Sequence, residues 1–416
     1  MSESAEPDTS TRALLRQGDF ILFWISRWTA VLGVQIQSVA LGWHVYSLAR
    51  QTMDVKQSAF MVSLLGLISF VPVLLLALPA GETADRYDRR RILKFTYASE
   101  IAVAVLLAVA AFTHHASVWM LLGSAALFGA SRAFFAPANT AMGPMLVPRH
   151  LLPRAIAWNS LAWQTASIAG PAIGGIVVAI SPALSYGVAA ALYLIAVTTI
   201  SLIRSNTQPE VQPGSRWALM KEGLVYVWTN KIVFGAISLD LAAVILAGAT
   251  AMLPVYAKDV LHVGPEGFGL LRAAPAIGAA AMAFYLAASA IRRNAGRIMF
   301  VAVGIFALGT VVFGLSKLMW LSVAALIVLG AADMISVYIR QTLVQLVTPD
   351  HMRGRVATVS SLFIGASNEL GEFRGGVVAR FVGPVVAVVG GGIAALGVTV
   401  LWAKLFPDLR KADRLA

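Results

Sequence analysis

Residues 368–374 read Asn368-Glu369-Leu370-Gly371-Glu372-Phe373-Arg374, three charges inside an apolar stretch that runs over roughly 355–381. Glu369 and Glu372 stand at i and i+3, so on a helix they share a face, and Arg374 is offset from both. Two carboxylates on one face that water does not reach will not both ionise easily. A carboxyl that takes up and releases a proton at such a place could couple a proton gradient to another movement. The plainer chemistry for the same charges is a structural ion pair tying this stretch to a neighbour. Asp333 lies in another apolar stretch and is either a second titrating acid or a partner for Arg340, two turns further on. Asp240, Arg272, Arg27, Gln35, Trp163 and Gln164 also fall within apolar stretches. At membrane depth a polar group must face a cavity or a partner. For Asp240, Asn368, Arg27, Gln35, Trp163 and Gln164 that expectation is a substrate cavity, although Arg27 also has the option of snorkelling to the membrane surface.

The elements that must carry these residues follow from composition. Of 416 residues, 58% are hydrophobic and 12% charged, about half the charged fraction of a soluble protein. Twelve apolar spans are expected, at roughly 20–46, 57–80, 92–113, 118–136, 157–180, 183–204, 231–257, 267–291, 298–316, 318–342, 355–381 and 384–406. Each is long enough to cross a bilayer as a helix, which takes about 20 residues. The fold class expected is an all-α membrane protein of twelve transmembrane helices in two pseudo-symmetric six-helix bundles. The domains expected are a disordered N-terminus over 1–16, bundles over 17–204 and 231–406, a linker over 205–230 and a tail over 407–416. Basic residues gather in the loops around 81–91, 149–154, 216–231, 292–297 and 353–355, whereas the opposite loops carry Arg50, Lys56, Lys258 and Lys317. That asymmetry places both termini in the cytoplasm.

The loop at 81–91 carries the pattern Gly81-x-x-x-Asp85-Arg86-x-x-Arg89-Arg90. Gly81 would permit a tight turn where the preceding helix ends. Taken alone, this is a basic cytoplasmic loop. The whole pattern resembles the loop between helices 2 and 3 of the major facilitator superfamily. The resemblance implies that Asp85 and Arg86, Arg89 and Arg90 latch the two halves of a transporter on the cytoplasmic side. Asp88 departs from it, standing where many members have Gly.

The two halves repeat. Leu146-Val147-Pro148-Arg149 after span four matches Leu346-Val347-Thr348-Pro349 after span ten, and Gly170-Pro171-x-x-Gly174-Gly175 falls on Gly371-x-x-x-Gly375-Gly376 at an offset of 201. Such repeats predict two bundles with substrate bound between them near the midplane. In span five, Gly170, Gly174 and Gly175 let a neighbouring helix come close, and Pro171 bends the span. The segment resembles the fifth-helix signature of proton-exchanging exporters in the superfamily, with Ala166 where those members usually have Gly. Glu266-Gly267-Phe268-Gly269-Leu270-Leu271-Arg272-Ala273-Ala274-Pro275, together with Ser367 to Glu372, narrows the resemblance. Those residues look like the bacterial branch that includes the enterobactin exporter and related multidrug efflux permeases.

A net charge of +12 is compatible with nucleic-acid binding, but the basic residues sit in short loops between spans, which argues against it. Without cysteine there is no disulfide or thiolate metal site. Neither a Gly-x-Ser-x-Gly elbow nor a phosphate loop is present, so no enzyme activity and no cofactor are expected. The function expected is proton-coupled export of a small organic molecule, a siderophore, drug or other amphiphile, across the bacterial inner membrane. The chain would act as a monomer whose partners are substrate, protons and lipid bilayer. A lysophospholipid carrier of the same fold and a non-transporting membrane sensor are the alternatives.

Overall fold

The computed structural model describes residues 10–208, 216–289, 291, 293–349 and 352–412. The outer parts of the expected N-terminal segment and tail, at 1–9 and 413–416, lie outside the described residues, as do 209–215 of the linker.

Apolar composition sets where the chain is helical, and local capping sets where helices start. Eleven helices among the described residues are long and apolar enough to cross a membrane. Spans one to six are Gly18–Thr52, Val55–Arg86, Arg89–Phe112, Val118–Met142, Leu152–Ile180 and Pro182–Leu202. Spans seven to ten begin with Lys231–Ala247, Gly264–Ala288, Ala295–Leu315 and Met319–Val347, and span twelve is Pro384–Leu405. Span eleven, Arg353–Val382, is a helix of 30 residues that its charges make less apolar than the other eleven. Ser117 and Ser181 cap spans four and six by accepting from the backbone N–H of Met120 and Ala183 at 3.2 and 3.1 Å. Asn230 does the same for span seven, accepting from Ile232 and Val233 at 3.1 Å. Each cap satisfies N–H groups that the helix itself leaves unpaired.

Large apolar side chains stand exposed along the helices, among them Phe95 (80%), Trp119 (70%) and Trp320 (83%). An apolar surface of this extent is one that a bilayer covers. Trp119 and Trp320 open spans four and ten and are a further matched pair at the offset of 201.

The chain packs as two compact units. One comprises 1–40 and 71–213, the other 41–70 and 214–416. The expected halves assign residues 41–70 to the first bundle. By contact, the end of span one and the start of span two belong with the second unit. The first unit's core is built on Phe20, Phe23, Leu93, Tyr97, Met142, Leu151 and Ile200. Residues 11–15, expected to be disordered, form a short helix capped by Ser10, because Leu14 is fully buried in that core. The second unit has a comparable cluster on Leu239, Met299, Phe300, Ile339 and Leu343, into which the tail sends Leu409.

Span seven is broken. It stops at Ala247, turns through Gly248 and Ala249, resumes as short helical turns and ends in a π-helical turn, Tyr256–Val260. Hydropathy reads it as continuous because the break is itself apolar. A discontinuous helix exposes backbone carbonyls, which membrane proteins tolerate only against protein or a cavity.

Candidate functional site: a polar cavity in the second unit and a basic loop in the first

The broken part of span seven lines a cavity of about 220 Å³ within the second unit. Gly248, Ala249 and Thr250 form one wall, and Asp240, Asp333, Arg340, Asn368 and Glu372 supply its polar side chains. Asp240 and Arg340, 7% and 2% exposed, form an ion pair between spans seven and ten. Arg340 is therefore buried inside the bundle, and its partner is Asp240, not the Asp333 that sequence spacing offered. One Arg340 nitrogen, Nε, is buried with no hydrogen-bond partner among the described residues. Asp333 lines the same cavity, and no hydrogen bond or ion pair among the described residues reaches it.

Glu369 and Glu372 turn toward span two. A Cβ built on Gly66 would lie 3.0 Å from Oε2 of Glu369 and 3.4 Å from Oε2 of Glu372. A side chain at this spot would press on both carboxyls, which would have to give by a few tenths of an ångström. Arg272 of span eight is the cation that acts on the two acids. Arg374 faces elsewhere and donates to the carbonyl of Leu246, at the end of the first piece of span seven. A cation is favoured at a helix C-terminus, and here it satisfies a carbonyl freed by the break. Sequence reading recognised the three charges of span eleven but had no signal for this division of labour, because the break in span seven leaves no mark in hydropathy.

The glycines of the repeat do the same work in both units. A Cβ on Gly170 would meet Gln35 Cβ of span one at 2.5 Å, and one on Gly174 would meet Ile36 Cα at 3.2 Å. In the second unit a Cβ on Gly371 would meet the Val244 carbonyl oxygen of span seven at 2.6 Å. Span five thus lies on span one as span eleven lies on span seven. Gly175 and Pro171 are buried in the same helix as Gly170. Gln35, expected to face a cavity, has its stem pressed into this helix contact, while Gln37 is buried at 2% exposure with its Oε1 unpaired among the described residues.

Arg27 is half-buried, its Nε without a hydrogen-bond partner among the described residues, and lies between Trp24 and Trp28 in sequence. The indole N–H of Trp24 donates to the Trp158 carbonyl at 2.8 Å, and that of Trp28 to Thr165 Oγ1 at 3.1 Å. These bonds add a second tie between spans one and five. Trp163 is half-exposed and Gln164 half-buried on span five.

In the first unit the basic loop is shorter than hydropathy suggests. Span two runs on as helix through Gly81 to Arg86, so Gly81 is a buried helix residue and not the turn. The turn sits at Tyr87-Asp88. Asp88 caps span three by accepting from the Arg90 N–H at 3.0 Å, and it also accepts from the Thr207 hydroxyl. That role suits Asp where the family pattern has Gly. Arg89 donates to the carbonyls of Ala84 and Ala141 at 3.3 Å, and Arg90 donates to the Ile203 carbonyl. Both arginines thus sit at helix C-terminal ends, of spans two and four for Arg89 and of span six for Arg90. Asp85 is half-buried and close enough to act on Arg89, while Arg86 is exposed.

Two units of membrane-length helices, a broken span and charged groups held inside the helices define a membrane transporter of the major facilitator type. Solved structures agree on the fold. A bacterial homologue of the iron transporter ferroportin matches with a TM-score of 0.70 at 15% identity, over 94% of this chain and 99% of that one. The POT family transporter PepTSo matches with a TM-score of 0.74 at 11% identity, over 95% and 99%. Residues 9–415 match the family model described as transmembrane secretion effector, and the chain belongs to that family of the superfamily. Among curated relatives, the enterobactin exporter EntS of Citrobacter koseri is 25% identical over 401 residues, 94% of this chain and 92% of that protein. The staphyloferrin A transporter of Staphylococcus aureus is 26% identical over 262 residues, so the match covers 62% of this chain and 64% of that protein's length.

Proposed function

We propose that this chain exports a small organic molecule across the bacterial cytoplasmic membrane in exchange for protons, by alternating access, with both termini in the cytoplasm and the chain acting as a monomer. The relatives named for enterobactin and staphyloferrin A transport favour a siderophore or a chelator of similar size as the cargo. The observation that carries the proton part is the contrast among the carboxyls of the second unit. Asp240 is committed to Arg340, and Glu369 and Glu372 lie under the influence of Arg272. Asp333 alone of the four faces the cavity with no ion pair among the described residues. With no ion-pair partner among the described residues, it can carry a proton in one conformation and lose it in the other. Alternation then follows if the two states differ in their affinity for that proton. Glu369 and Glu372 serve as the paired acids that exchange Arg272 between them. Arg27, Trp163, Gln164 and Asn368 contribute to substrate contact, and Asp85 with its arginines to the cytoplasmic gate.

The test uses purified protein in liposomes, a panel of siderophores and amphiphilic drugs, and an imposed pH gradient. Wild type should accumulate its substrate uphill, and dissipating the gradient should stop it. Asp333→Asn should lose uphill transport and keep downhill exchange. Glu369→Gln and Glu372→Gln are the comparison. If Asp333→Asn still responds to the gradient while a glutamate variant does not, the coupling acid is in span eleven. Uphill transport that ignores the gradient in wild type removes proton coupling altogether.

A further inference from the structure

The segment 41–70 that packs with the second unit is fastened there by a set of contacts unrelated to the cavity. Trp43 of span one stacks on Phe268 of span eight at 5.9 Å with the rings 24° apart. One turn on, the Tyr46 hydroxyl donates to Asp259 Oδ2. A further turn on, Arg50 Nη2 lies 3.4 Å from Asp259 Oδ1, while its Nη1 donates to the Met53 carbonyl at 2.8 Å. Trp43, Tyr46 and Arg50 stand at i, i+3 and i+7, a single face of span one. Lys258 places its ammonium 5.9 Å from the Trp43 ring and 6.0 Å from the Tyr46 ring. On span two, Lys56 donates to the Phe381 carbonyl at 3.2 Å, and the Arg380 guanidinium lies 4.9 Å from the Phe60 ring.

At the centre of this face one carboxylate takes two partners from the same helix. It is supplied by the π-helical turn Tyr256–Val260. Such turns insert an extra residue into a helix and are common at functional positions. The pair is also poised for reversible use. Arg50 and Asp259 keep side-chain exposures of 27% and 22%, so water can solvate the charges when they part. A fully buried pair such as Asp240 and Arg340 has no such exit.

We propose that Asp259, gripped by Tyr46 and Arg50, is the latch that shuts the side of the transporter opposite its termini, and that it must release span one each time the substrate leaves. The inference rests on the alternating-access part of the function proposed above. It assigns a closing device to the side that the basic loop at 81–91 does not serve.

The chain has no cysteine, so a single introduced thiol reports access directly. Val337→Cys lies on the cavity wall of the second unit. In intact cells a membrane-impermeant maleimide added outside should label this thiol slowly. With Asp259→Ala, or with Arg50→Asp, labelling should quicken about tenfold or more. The exchanged pair Arg50→Asp with Asp259→Arg should return labelling toward the slow rate. Tyr46→Phe, which removes only the hydroxyl, should give a smaller increase. A permeant maleimide should label all variants alike, which separates gate opening from misfolding. Labelling of Asp259→Ala at the parent rate, or an exchanged pair as open as either single variant, overturns the latch. The measurement needs neither substrate nor pH gradient. Failure of proton-driven export would therefore leave its result standing, and failure of the latch would leave export intact.

Discussion

Asp240 and Arg340 meet from spans seven and ten, a hundred positions apart, and nothing in local sequence pairs them. Each lies within an apolar run, so the sequence shows that each needs a partner but not which one. Asp333 sits closer along the chain to Arg340, two turns before it, and spacing alone favours it. The helix direction decides otherwise: Asp333 and Arg340 both line the cavity, but it is span seven that presents a carboxylate to the guanidinium. Removing one partner of a buried pair leaves the other charge uncompensated, at a cost of about 3–5 kcal/mol. Asp240→Asn should lower the thermal midpoint of the detergent-purified protein clearly. Asp240→Asn combined with Arg340→Met should recover part of that loss, because no stranded charge remains. A double variant as unstable as the sum of both singles would mean that the two residues do not act as a pair.

At the scale of elements, packing glycines were legible and helix ends were not. Gly170 and Gly174 announce a close approach because small residues one turn apart have few other uses within a span. The structure brings span one against them, and span seven against Gly371. Hydropathy ends span two too early because its last turn is polar, and it treats polar residues as loop. Helical hydrogen bonding continues past the apolar stretch, and the turn waits for Asp88, whose side chain can cap the next helix. The same loop then separates into two kinds of acid. Asp88 is a cap, and Asp88→Ala should cost about 1 kcal/mol of stability with little change in turnover. Asp85 stands in the last turn of span two and acts on Arg89. If it belongs to the cytoplasmic gate, Asp85→Asn should slow substrate turnover several-fold at nearly unchanged thermal stability. A thermal shift measured beside a transport rate distinguishes the two. Asp85→Asn turning over at the wild-type rate would leave Asp85 a topological signal only.

For the whole molecule, the apolar spans and the repeat carried most of the architecture, because both are properties of long stretches and survive local error. The grouping of residues 41–70 did not follow from either, since hydropathy is blind to which bundle a helix end touches. Orientation is the property on which the gate assignments depend. Arg86, Arg89, Arg90, Arg91, Arg149, Arg154, Arg353 and Arg355 all lie in, or in the helix turns beside, the connections of spans two to three, four to five, or ten to eleven. Loops joining an even-numbered span to the next odd-numbered one share the side of both termini. Arg50, Lys56, Lys258 and Lys317 lie at the other ends of the helices. Short loops rich in Lys and Arg resist translocation, so the side of the termini should be cytoplasmic. A reporter active only in the cytoplasm should therefore work when fused after Ala416 or within 205–215, and should fail when inserted at His114-His115 between spans three and four. A reporter active only outside should show the reverse. Were the pattern inverted, Asp259 would face the cytoplasm and Asp85 the exterior, and the roles proposed for the two gates would exchange sides.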